Sequence, residues 1–133
     1  MTISKDIKFD CAHMLSDYEG KCANLHGHTY HGTVTIKGET VVNTCMLLDY
    51  NKIKKVVDKY DHAIIFSAPS FRDEAENELL DWVRKHNMRF VELCVGKSTA
   101  EVLALTIAEE FSRYGKVTVR LSETDGSWAE AQS

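Results

Sequence analysis

The segment KCANLHGHTYHG, residues 21–32, sets one thiol and three imidazoles within twelve positions. Thiolate sulfur and imidazole nitrogen are the donors a borderline-soft ion such as Zn2+ takes. They are also groups that move protons near neutral pH. An extended backbone points alternate side chains the same way, so His26 and His28 share one face and His31 takes the other. His13 continues the odd-numbered face of the preceding alternating segment, after Ile7, Phe9 and Cys11, and is the candidate third ligand on that side. Three neutral imidazoles with an open fourth position describe a catalytic zinc site, whereas Mg2+ and Ca2+ prefer oxygen. An HxH pair alone is commonplace on a strand; the in-phase His13 is what turns it into a candidate metal centre.

Cys22 stands four residues before His26 and admits three readings: a small buried hydrophobe, a thiolate base or nucleophile favoured by a nearby cation and Lys21, or a fourth metal ligand. Cys11 is in phase with a core face, and Cys45 and Cys94 have no histidine near them in sequence. In "YDHAIIF", Asp61 could orient His62 and raise its basicity. Sequence neighbours seldom bond side chain to side chain, so polar residues at a helix end account for the pair equally well. His86 reads as a helix-end cation. Glu123 continues the face of Val117, Val119 and Leu121, where a carboxylate is costly unless paired. A planar ligand offering two N–H donors would pair it.

These residues need elements to hold them. "ISKDIKFDCAH" and "HTYHGTVTIKG" alternate with period two and predict two strands. "DYNKIKKVVDKY" repeats its apolar residues at helical spacing behind Asp49 as N-cap. "SFRDEAENELLDWVRKHN" predicts a second helix and "RFVELCV" a short strand. "KSTAEVLALTIAEEFSRYGK" predicts a third helix, opened by a Ser98–Glu101 capping box and ended by Gly115. "KVTVRLSET" and "SWAEA" predict two final strands around a "TDG" turn. The order suits an α+β layer: a four-stranded antiparallel sheet with helices packed on one face.

Composition narrows the function classes. The chain has 133 residues, a formal net charge of −4 and 44% hydrophobic residues, which predicts one domain spanning 1–133 with its own core. A net acidic chain lacks the basic stripe of a general nucleic-acid binder. No apolar run approaches the roughly 20 residues of a membrane span. "MTISKDIKFD" has neither the basic start nor the apolar core of a signal peptide, so the expected compartment is the cytoplasm, where the four cysteines would be free thiols.

In the order "FDCAH", "CANLHGHTY", "MLLDYNKIKKVV", "YDHAIIF", "STAE" and "SET", residues 9–124 resemble the pterin synthase family of the tunnelling-fold (T-fold) superfamily. That family includes 6-pyruvoyl-tetrahydropterin synthase and bacterial 6-carboxy-tetrahydropterin synthase. The four-residue step from Cys22 to His26 is more similar to the 6-carboxy branch. The resemblance implies zinc on His13, His26 and His28, and Cys22 as catalytic thiol. It implies Asp61–His62 as a proton-transfer pair reached from a neighbouring subunit, and Glu123 as the anchor of the pterin's amino-pyrimidine edge. It implies 7,8-dihydroneopterin triphosphate as substrate, a step toward queuosine and other deazapurines. It also implies a homo-oligomer with shared sites, expected to be a hexamer whose sheets close into a barrel. A pyruvoyl-type synthase, a side-chain-cleaving homologue, a non-catalytic pterin- or metal-binding module and a plain structural zinc protein remain the alternatives. The chain departs from the family's common pattern at Phe66, Ser98, Val102 and Ser122, and Lys21 and Lys97 are the candidate cations for a triphosphate.

Overall fold

Two twelve-residue strands, β1 (Thr2–His13) and β2 (His26–Lys37), pair antiparallel along their whole length in the computed structural model, which describes residues 1–133. Their alternation drives the pairing. Ile7, Phe9 and Cys11 on β1 and Tyr30, Val34 and Ile36 on β2 turn inward and are buried, while lysines, threonines and aspartates turn out. The Phe9 and Tyr30 rings, directly opposite in the register, stack with centroids 5.2 Å apart. The same register sets His13 opposite His26 and Cys11 opposite His28.

Beyond this pair come α1 (Tyr50–Asp58), β3 (Ala63–Phe66), α2 (Glu74–Lys85), β4 (Phe90–Glu92), α3 (Ala100–Glu110), β5 (Lys116–Thr124) and β6 (Ser127–Gln132). Strand order across the sheet is β4-β3-β1-β2-β5-β6. The expected four-stranded antiparallel sheet is thus corrected to six strands, with β3 parallel to β1 and β4 parallel to β3. The missed strand, Ala63–Phe66, is a continuous apolar run buried on both faces, so it shows no alternation to read. All three helices carry the N-cap their first turns need: Asp49, Asp73 and Thr99 accept from Asn51, Glu76 and Val102 backbone N–H groups. The cap of α3 is Thr99, not the expected Ser98, which is buried and has another task. Ile53, Val57, Leu103, Ile107 and Phe111 close over the inner face of the sheet in one core cluster. Leu80 and Val83 of α2 pack with Phe66 in a smaller one. No helix is long and apolar enough to cross a membrane.

β2 can lie against β5 because residue 32 has no side chain. A Cβ built at Gly32 falls 2.2 Å from the Arg120 carbonyl oxygen on β5, and a backbone atom cannot swing aside. Gly32→Ala should therefore force the two strands apart and destabilise the protein by about 2 kcal/mol or more, in the range of overpacked cores. Urea unfolding checks this: a midpoint unchanged from wild type would show that β2 and β5 tolerate the separation.

Candidate metal centre and proton-transfer pair

His13 ends β1 and His26 begins β2, so the strand register alone brings them face to face at the open end of the sheet. Each ring is then tied by its Nδ1. His13 Nδ1 meets the Ser98 carbonyl oxygen in a very short contact, and His26 Nδ1 lies 2.7 Å from the Asn24 carbonyl oxygen. A carbonyl can only accept, so in both neutral rings the hydrogen sits on Nδ1 and Nε2 carries a lone pair. Those two Nε2 atoms face each other at 3.1 Å. Neither can donate to the other, so the approach is unfavourable unless a cation stands among them. The ring of His28 packs edge-on to His26, with centroids 4.8 Å apart, and its Nε2 is buried without a hydrogen-bond partner.

Glu123, near the end of β5, completes the group. Its Oε1 is 3.4 Å from His13 Nε2 and 2.6 Å from His28 Nε2, the latter close but not aligned as a hydrogen bond. One ligand atom from each of His13, His26, His28 and Glu123 lies within 4.8 Å of the others. Burial holds His28 below the usual imidazole range; Glu123 opposes that shift, and the neighbouring His13 and His26 add to it. Three imidazoles, two of them with fixed lone pairs, fit a borderline-soft divalent ion of the zinc type.

A second cluster lies on the other face of the sheet. Asp10 and Thr29 are opposite one another in the register and point outward, and Thr29 Oγ1 donates to Asp10 Oδ1. The Asp10 N–H donates to Asp61 Oδ1 at 2.9 Å, and the Asp10 carbonyl accepts the His62 N–H at 2.6 Å. Asp61 Oδ2 sits 3.0 Å from His62 Nδ1, so these sequence neighbours do pair side chain to side chain. They manage it because His62 adopts φ +56°, a left-handed conformation that turns its ring back toward Asp61. The Asp10 N–H first, then His62, holds the Asp61 carboxyl below the usual range. A cavity of about 440 Å3 opens here, bordered by Asp10, Gly27, Thr29 and His62; of the imidazole trio only His28 touches it.

Cys22 lies exposed on the 3-10 turn Lys21–Ala23 and does not belong to either cluster within the single chain. Its carbonyl accepts the Leu15 N–H at 2.9 Å, which closes the loop that joins β1 to β2. Lys97, a candidate triphosphate cation, pairs with Asp17 of that loop. Cys11 is core as expected: burial pushes its thiol up to about 12, and a thiol that stays protonated is no nucleophile. Sequence reasoning missed Ser98 and Asn24. Both act through backbone carbonyls, for which side-chain type is no signal, although Asn24's position two residues before His26 was a hint.

The family model described as 6-pyruvoyl tetrahydropterin synthase matches residues 2–133. The chain is 33% identical to the 6-carboxy-5,6,7,8-tetrahydropterin synthase of Haemophilus influenzae, over 98% of this chain and 97% of that protein. It is 24% identical to the protein of that name from Rickettsia bellii, over 96% of both. Among solved structures, a catalytic-residue mutant of Plasmodium vivax 6-pyruvoyltetrahydropterin synthase superposes with a TM-score of 0.65 at 17% identity, covering 100% of this chain and 98% of that one. At that identity the likeness is one of fold.

The His28 environment makes a pH prediction. In metal-free protein, burial keeps its folded pKa below the ordinary 6.5, so the unfolded chain takes up the proton first and this residue withdraws stability as pH falls below about 6.5. NMR titration of the His28 ring in metal-free protein should give a midpoint below 6.5. A midpoint at or above that value would mean Glu123, not burial, dominates the site.

Proposed function

The chain belongs to the 6-pyruvoyl tetrahydropterin synthase family, and from that premise we propose that it is a zinc-dependent 6-carboxy-5,6,7,8-tetrahydropterin synthase. It converts 7,8-dihydroneopterin triphosphate and one water to 6-carboxytetrahydropterin, acetaldehyde and triphosphate. The branch is supported by the names of its relatives and by the four-residue step from Cys22 to His26. The observation that carries the metal-dependent part is the convergence of His13 Nε2 and His26 Nε2, 3.1 Å apart, with a backbone carbonyl behind the Nδ1 of each ring. His13, His26 and His28 would hold the zinc, which when bound would polarise the oxygens of the substrate side chain and acidify the adjoining C–H bonds.

The protein's own groups do the rest. Cys22, on the loop between β1 and β2, takes a proton from the side-chain carbons as its thiolate and returns one as the thiol so formed. Asp61 accepts the Nδ1 hydrogen of His62, which leaves His62 Nε2 as the base, and ionised Asp61 stabilises the imidazolium that forms. Glu123 receives the amino-pyrimidine edge of the pterin through its paired oxygens. In one chain the imidazoles and the Asp61–His62 pair occupy opposite faces of the sheet. A site that uses both therefore needs a second copy, whose His62 reaches the first copy's Cys22. We place this in a homo-oligomer of hexamer type, with the exposed edges of β4 and β6 available for pairing.

Incubation of purified protein with 7,8-dihydroneopterin triphosphate and mass spectrometry of the products tests the reading. Acetaldehyde and 6-carboxytetrahydropterin are expected, and a chelator should abolish both. Release of glycolaldehyde would instead identify a side-chain-cleaving enzyme. Cys22→Ala and His62→Ala should each lower turnover by about a hundredfold or more with zinc content unchanged. Mixing these two inactive variants should restore part of the activity, since each can complete the other's site. Failure of any mixture to recover would argue against a site shared between copies.

A further inference from the structure

We infer that Glu123 is a displaceable ligand: without substrate its carboxylate completes the metal site with His13, His26 and His28, and a bound pterin draws it away. The inference rests on the zinc reading proposed above and gives that site a gate.

Spacing is the first support. Four donors about 2.1 Å from a tetrahedral ion stand about 3.4 Å from one another. His13 Nε2 to Glu123 Oε1 is 3.4 Å and His13 Nε2 to His26 Nε2 is 3.1 Å, close to such edges. The 2.6 Å approach of Glu123 to His28 is tighter still and is not aligned as a hydrogen bond, and all four donor atoms lie within 4.8 Å of one another. Chemistry is the second support. A carboxylate oxygen is an acceptor, and so are the Nε2 atoms of His13 and His26. Acceptors turned toward one another need positive charge between them, and one divalent ion supplies it to all four donors at once.

The third support is that Glu123 can move. The β5–β6 register shifts between Ser122 and Thr124, so Glu123 sits at an irregularity with no residue paired across from it. Such a bulge re-aims one side chain and frees it from the ladder. Ser122 Oγ staples the backbone around it, donating to the carbonyls of Thr124 and Ser127. Glu123 also borders a small cavity of about 100 Å3 with Glu101, Ser127 and Trp128. The carboxylate therefore faces the imidazoles on one side and open space on the other. A pterin edge that presents two N–H donors engages both carboxylate oxygens. Once it does, a place at the ion is free for the substrate side chain. Linkage makes the competition reciprocal: pterin loosens the ion by the factor by which the ion loosens pterin.

Full-length wild type, E123Q and E123D, checked for folding by circular dichroism, are stripped of metal. They are titrated with zinc against a chromophoric chelator, and with Co2+ followed by its visible spectrum. Both titrations are run with and without saturating unsubstituted pterin, which has the amino-pyrimidine edge but no side chain to reach the ion. E123Q and E123D should bind zinc at least about tenfold more weakly than wild type. Pterin should weaken zinc binding and change the cobalt spectrum in wild type, and do neither in E123Q. The wild-type arm stands even if a variant fails to fold. Equal zinc affinity in wild type and E123Q overturns the inference and leaves the three-histidine site intact, as does a wild-type cobalt spectrum that pterin does not alter. A wild-type chain that takes up no zinc overturns the metal reading itself, and this inference with it.

Discussion

Two backbone carbonyls, those of Ser98 and Asn24, decide which nitrogen of His13 and of His26 carries the hydrogen. Because a carbonyl offers no proton, it forces the lone pair to the far side of each ring, and the strand register then turns the two lone pairs on each other. The arrangement is unfavourable as it stands. It persists because the rings hang from the ends of β1 and β2, and those strands are held by a core with buried Phe9, Tyr30, Val34 and Ile36. Local conflict maintained by a consistent fold marks a functional site.

The sheet divides the chemistry as well as supporting it. Period-two alternation sends His13, His26 and His28 to the inner face, and Asp10 and Thr29 to the outer one. Asp10 is the link between the strand and the Asp61–His62 pair: its N–H holds Asp61 and its carbonyl holds His62. The pair lies in a turn and is tied to β1 by those two backbone hydrogen bonds. Within one copy His28 alone of the three imidazoles reaches the cavity that His62 borders.

Much of the site was legible because strands obey a simple parity. His26 and His28 share a face in any extended chain, His13 follows from the odd positions of β1, and Glu123 from those of β5. Parity also identified Cys11 as core. It could not identify β3, whose AIIF run is buried on both faces, nor the parallel pairing of β3 and β4 that widens the sheet. The Ser98–Glu101 spacing suggested a cap, yet Thr99 took the cap and Ser98 was drawn to His13. Nothing in the type of a serine announces that its carbonyl will orient a ring 85 residues away.

By itself, the sequence determined which side chains could share a face, where helices begin, and which thiol lies in the core, since each depends on local period and local polarity. Only the tertiary structure decided which nitrogen of each ring is free, that Asp61 and His62 meet despite being neighbours, and that Glu123 turns to the imidazoles. Those outcomes rest on backbone groups and pairing: the Ser98 carbonyl and the Asp10 N–H come from segments remote in the chain, and the Asn24 carbonyl and the β5–β6 bulge take their effect only once the strands have paired. Backbone groups are the same in every residue but proline, so their placement is written only in the fold.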